Sequence, residues 1–140
     1  MRKSLRSLLV AGFVFAFAIA LDAGTIENQG KAWLDAQKDP PAINVSGVWD
    51  SELGDLALKQ AEGSRDVEGN GGGYELTGAV SGKTLYLVFA TKHGTVDYCG
   101  VVNSESDSVL SGKYYTRLSR LRFGAGLCQE KSRQLVMRKR

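Results

Sequence analysis

From Ile43 to the C-terminus the apolar residues recur every second position, and this alternation constrains the fold more than any other feature of the chain. Val45, Gly47 and Trp49 alternate with Ser46, Val48 and Asp50; Leu56 and Leu58 alternate with Asp55, Ala57 and Lys59. Tyr74, Leu76, Gly78 and Val80 share one face of a run whose other face is Glu75, Thr77 and Ala79. Successive side chains of a strand point to opposite sides, so a period of two marks strands with one face buried and one wet. Turn residues separate the runs: Gly63-Ser64, Gly69 to Gly73, Ser81-Gly82-Lys83, His93-Gly94 and Ser104 to Asp107. The pattern predicts eight strands, at 45–52, 55–61, 65–69, 74–80, 84–92, 95–103, 108–118 and 133–139. Eight short strands joined by tight turns predict an all-β fold, a single antiparallel up-and-down β-barrel. Closing the barrel removes the unpaired edges that invite aggregation. The stretch 119–132 fits a ninth strand through Leu121 and Phe123 followed by a loop.

The first 44 residues follow other rules. Arg2, Lys3 and Arg6 precede an apolar run, Leu8 to Leu21, and Ala18-Ile19-Ala20 supplies a small-residue cleavage pattern. Residues 1–20 therefore read as a signal peptide, with cleavage after Ala20 or as late as Ala23. The run is shorter than the ~20 apolar residues of a comfortable membrane helix. The alternative is a segment retained as an anchor. The processed chain is expected to be periplasmic or secreted, with no transmembrane span. Residues 24–44 form an N-terminal arm: Glu27 to Lys38 has helix-forming composition, and Asp39-Pro40-Pro41 stops it. Residues 45–140 are the barrel domain.

Export gives the cysteines a role. Cys99 and Cys128 are the two cysteines of the chain, and an oxidising compartment favours a bridge between them. Such a bridge closes a loop of about 30 residues, worth roughly 3–4 kcal/mol in the chain-entropy account. There is no Cys-x-x-Cys and no histidine nearby to suggest a redox centre.

No catalytic or metal constellation is present, and no cofactor is expected. The single histidine, His93, falls at a hairpin tip without an oriented partner. One histidine and two bridged cysteines do not make a zinc site. The glycines at 71–73 lack the Gly-Lys-Ser/Thr ending of a phosphate loop. Asp50, Glu52 and Asp55 cluster near the first turn and read as a polar rim, the alternative being a cation held by their oxygens.

Two features point to an interaction surface. Leu85-Tyr86-Leu87-Val88-Phe89-Ala90 is apolar on both faces. Leu85, Leu87 and Phe89 fill a barrel, so Tyr86, Val88 and Ala90 must meet something else: the leader arm, anchored by Trp33, or a second molecule. Charge is also uneven. Residues 24–112 carry 6 Lys and Arg against 13 Asp and Glu, whereas residues 113–140 carry nine against one. Arg117, Arg120, Arg122 and Arg138 either present a basic face to an anionic partner or are neutralised by acidic neighbours within the fold. The overall charge of +3 gives no reason to expect nucleic acid.

Gly47-Val48-Trp49 at the start of the first strand resembles the G-x-W opening of the calycin barrels, lipocalins and avidins, in which the tryptophan plugs one end. The resemblance implies that Trp49 is such a plug. It stops short of biotin binding: Ser51 and Asp55 stand where the avidin pattern has Asn and Ser, and no tryptophan follows Trp49. The architecture also resembles the small periplasmic inhibitors of metalloproteases, which are exported single-disulfide barrels with an N-terminal arm. The expected function is a non-enzymatic cell-envelope binding module whose partner is an envelope protein, an anionic polymer or a small apolar ligand. The alternative is a protease inhibitor acting through residues 24–44.

Overall fold

The alternation seen in the sequence reappears as burial. Along Leu56–Gln60 every second side chain is sealed from water and those between are exposed. The computed structural model describes residues 26–116 and 132–140. They form one helix, α1 (Ile26–Asp35), and eight strands: β1 (Gly47–Asp50), β2 (Leu56–Gln60), β3 (Asp66–Gly71), β4 (Tyr74–Ser81), β5 (Thr84–Ala90), β6 (Val96–Ser106), β7 (Val109–Thr116) and β8 (Ser132–Lys139). Each strand pairs antiparallel with the next, and β8 returns to β1 through Trp49–Lys139 and Asp50–Arg138. The sheet is a closed up-and-down barrel. The expected signal segment, the expected ninth strand, Cys128, Arg117, Arg120 and Arg122 lie outside the described residues.

The barrel is filled by its own side chains. Trp49, Leu56, Leu85, Leu87, Phe89, Val102, Leu110, Leu135 and Met137 are among the fully buried members of one continuous cluster. Each such side chain contributes about 1.5–3 kcal/mol of transfer free energy. Outward positions are polar: Asp66, Glu68, Glu75, Lys113 and Arg133 are exposed. This pattern, apolar inside and charged outside, is the reverse of a membrane-spanning barrel. Among the described residues no helix is long and apolar enough to cross a membrane.

Strand ends differ from expectation by up to three residues, β1 and β5 being shorter than the expected 45–52 and 84–92, and two strands run on through expected turns. β3 runs on through Gly69, Asn70 and Gly71, which the glycine-rich composition assigned to a turn. Pairing decides the matter: Gly69 and Gly71 sit opposite Leu58 and Leu56. A Cβ at Gly69 would stand 2.1 Å from the Ala57 carbonyl oxygen, and one at Gly71 would stand 2.0 Å from that of Asp55. These glycines mark a close approach of two strands, and the turn is Gly72-Gly73 alone. Likewise β6 extends to Ser106, opposite Val109, and the turn shrinks to Asp107-Ser108. The hairpin at 81–84 is the expected one, a two-residue turn with Gly82 at φ +60°.

β5 is the strand with two apolar faces, and α1 covers the outer one. Trp33 meets Tyr86 edge to face at 5.6 Å. Leu34 packs with Ala79, Val88, Val96 and Cys99 in a second cluster outside the barrel. The face formed by Trp33, Tyr86 and Val88 is thus occupied by the chain itself, and Val88 is only 6% exposed. An extended tether follows the helix. Asp39 N–H donates to Ser81 Oγ (3.0 Å), Gly82 N–H to Pro40 O (3.1 Å) and Ala42 N–H to Gly82 O (2.8 Å).

The helix stops at Asp35, three residues before the expected end, and a side chain takes carbonyls of its last turn and of the residues that follow. The Arg65 guanidinium donates to Leu34 O and, at 2.7 Å, to Gln37 O. Asp35 lies 3.7 Å from the same group. A cation at a helix C-terminus satisfies orphaned acceptors and opposes the negative end of the helix dipole. Replacing Arg65 with methionine should loosen α1 at a cost of about 1–2 kcal/mol. Faster proteolysis near residue 36 and a red-shifted Trp33 emission are the readouts; protection equal to the parent would show the clamp to be idle.

Candidate functional site

One end of the barrel is lined by phenol rings. Tyr74 opens β4, Tyr98 lies near the start of β6, Tyr114 near the end of β7 and Phe89 near the end of β5, so all four reach the same end. Tyr98 is the hub. Its ring is perpendicular to Tyr74 (5.7 Å between centroids, 78°), Phe89 (6.3 Å, 85°) and Tyr114 (5.4 Å, 89°). Tyr74 also meets Phe89 at 5.9 Å. Phe89 and Tyr114 are buried, while Tyr74 and Tyr98 are partly exposed and form the rim. Tyrosine suits such a boundary because its ring packs on the core and its hydroxyl stays wet.

A β-bulge aims this rim. Phe89 pairs with Tyr98, but the next residue, Ala90, pairs with Val96, leaving Asp97 as the extra residue of β6. Val96 belongs to the outer cluster and Tyr98 packs on the inner one, although they are two apart in sequence. Regular alternation would put both on one face; the bulge turns Tyr98 inward and leaves Asp97 beside the rim. Burial raises the Tyr74 phenol above its usual pKa, and the neighbouring Tyr98 phenol and Asp97 carboxylate push it the same way. The folded state therefore holds this proton more tightly than the unfolded chain does. Its contribution to stability is intact below the unfolded value near 10 and is lost as pH rises through the folded value. Denaturant midpoints measured at increasing alkalinity should fall less steeply in Tyr74→Phe than in the parent. Equal slopes would contradict the assignment.

The opposite end is closed. Trp49 is 2% exposed, its indole N–H donates to Val45 O at 2.8 Å, and Lys139 Nζ sits 5.8 Å from the ring centroid. Gln60 seals the entry beside it. Its Oε1 accepts from Val45 N–H (2.8 Å), and its Nε2 donates to Ile43 O (3.1 Å) and Ser64 O (2.8 Å).

The remaining expected residues are scattered. His93 is exposed at the 91–95 turn. Arg138 stands opposite Asp50 on the outer wall and lines a shallow depression with Asp50 and Glu52. Arg140 pairs with Asp55 at 3.1 Å, between half-exposed groups where such a bridge adds little. Among the described residues Arg138 and Arg140 thus each stand near one acid, while Arg133 lies opposite Tyr114 of β7, a strand without acids. Cys99 is fully buried on the outer side of β6, in the cluster beneath α1. A groove runs between α1 and the barrel wall, lined by charges of both signs: Lys31, Lys59 and Lys92 against Glu68 and Glu75. Among the described residues no group of three or more His, Cys, Asp or Glu is placed to hold a metal ion.

Sequence reasoning grouped Tyr74 with Leu76 and Val80 on one face and took Trp49 as a plug from a resemblance, but it did not single out Asp97, Tyr98, Tyr114, Gln60 or Arg65. No family model, curated protein or solved structure matches this chain.

Proposed function

We propose that this chain is an exported, non-enzymatic binding module of the cell envelope that meets its partner at the tyrosine rim of a filled barrel. One observation carries the reading. The interior is packed with Leu, Val, Phe, Trp and Met side chains, α1 packs on the outer apolar strip, and at the end of that filled core two tyrosine rings, Tyr74 and Tyr98, stay partly exposed side by side. Tyrosine is enriched at contact surfaces because it supplies a large, stiff, amphipathic area at little entropic cost. The charged N-terminal region and apolar run support export. In that setting Cys99 bridges Cys128, and mass mapping of the secreted protein should find the two joined.

The test compares retention of the processed protein on isolated envelope fractions with that of two variants. Tyr74→Ala should abolish most retention, and Lys113→Ala, on an exposed outer position, should leave it intact. Equal retention of both variants contradicts the rim as the contact surface. Turnover of a substrate by a protein that retains no partner contradicts the binding role.

A further inference from the structure

We infer that the edge of β8 beyond its pairing with β1 takes an extended acidic segment of a partner protein as an added strand. The inference rests on the rim reading above and names the partner's chemistry and its mode of attachment.

The stagger of the closing strands creates this edge. β8 has eight residues and β1 four, and the two meet at Trp49–Lys139 and Asp50–Arg138. Lys139 N–H donates to Ser108 O on the β7 side, and Arg140 N–H donates to Val48 O on the β1 side. Backbone groups alternate in direction along a strand. Those of Ser132, Gln134 and Val136 therefore point to the β1 side, where β1 has already ended at Asp50. Among the described residues no backbone hydrogen bond reaches them from that side. Gln134 is exposed, and half-buried Val136 lines the depression with Asp50, Ser51, Glu52 and Arg138. At its other end the edge meets the rim: Arg133 stands opposite Tyr114, whose ring lies 5.4 Å from that of Tyr98.

The chemistry of the edge selects its occupant. A row of N–H and C=O groups repeating every second residue, about 7 Å apart, matches another peptide backbone. A polyanion without amides leaves that row unanswered. Charge sets the kind of peptide. β8 carries Arg133, Arg138 and Lys139 and no acid, and β7 has no acid either. Asp50 stands opposite Arg138, so the excess positive charge lies toward Arg133. Two copies pairing β8 with β8 would set these cations against one another, and like charges across a strand pair destabilise it. The chain's own connection into β8 has the same sign: residues 117–131 carry Arg117, Arg120, Arg122 and Lys131 against Glu130 alone. Cations keep such an edge from pairing with its own kind, and an acidic strand turns the same charges into attraction.

The experiment titrates the full processed chain with a short blocked peptide of alternating glutamate and valine, following the protein's amides by NMR and hydrogen exchange. Two control peptides run in parallel: one with lysine in place of glutamate, one with every backbone nitrogen methylated. The glutamate peptide should bind saturably and slow exchange at the Gln134 and Val136 amides by about tenfold or more. Neither control should do so. Arg133→Gln, at an exposed position, should weaken the glutamate peptide about threefold, and an unchanged melting temperature shows that this variant is folded. Equal binding of the methylated peptide, or of the lysine peptide, overturns the inference. Gln134 and Val136 amides that exchange slowly in the protein alone also overturn it, because the edge is then already covered by the chain itself or by a second copy. A glutamate peptide that fails to bind, while Tyr74→Ala still abolishes envelope retention, removes the strand partner and leaves the rim. A glutamate peptide that binds, while Tyr74→Ala keeps its envelope retention, supports the edge and removes the rim.

Discussion

Trp49→Ala is expected to destabilise the protein by about 4 kcal/mol, the cost typical of emptying a large aromatic site in a core. Three losses combine. The side chain is 2% exposed within the main cluster, so its removal leaves a cavity among Val45, Leu56 and their neighbours. Its indole N–H is the donor to Val45 O, and that carbonyl is left without this partner. Lys139 loses the ring on which it rests. For a domain of this size the shift in melting temperature is on the order of 20 °C. Since small domains are stable by only about 5–15 kcal/mol, a fraction of the variant should already be unfolded at physiological temperature. Trp49→Phe keeps most of the volume and loses the hydrogen bond, so it should cost roughly 1–2 kcal/mol. Calorimetry of the two variants separates plug from bystander: equal, small shifts would show that Trp49 does not close the barrel.

Gln60→Leu should cost about 3 kcal/mol although leucine is more apolar and of similar size. The side chain is 7% exposed and satisfies three backbone groups: Val45 N–H, Ile43 O and Ser64 O. Leucine answers none of them, and each buried polar group left alone costs about 1–3 kcal/mol, less where water reaches it. The variant also releases the chain that leads into β1. Chemical denaturation measures the loss, and hydrogen exchange at Val45 locates it. A Gln60→Leu variant as stable as the parent, with Val45 still protected, would mean that water replaces the amide at no cost.

The strand count was legible because eight alternating runs survive as eight strands, each displaced by only a few residues. Alternation reports burial on one face, and a closed barrel presents that same asymmetry to every strand. The apolar outer face of β5 was legible as an anomaly, and its resolution by Trp33 and Leu34 follows from the arm being the nearest apolar material. What alternation does not carry is where strands touch. Gly69 and Gly71 are strand residues because β2 passes close beside them, a fact about two strands rather than one. The bulge at Asp97 escapes for a related reason: one extra residue reverses the facing of Tyr98, and nothing in Val96-Asp97-Tyr98 announces it. The rim is built from that reversal, so the candidate site was the least legible part of the molecule. Gln60 and Arg65 were hidden likewise, since each acts on backbone groups far away in sequence.

The central claim is that recognition takes place on the rim and not inside the barrel. Methyl and aromatic NMR of the processed protein, titrated with the envelope component it retains, tests this directly. The account predicts shifts at the Tyr74, Asp97 and Tyr98 resonances, with the methyl groups of Leu87, Val102 and Met137 unmoved. Shifts at those three interior residues, with a silent rim, would contradict it.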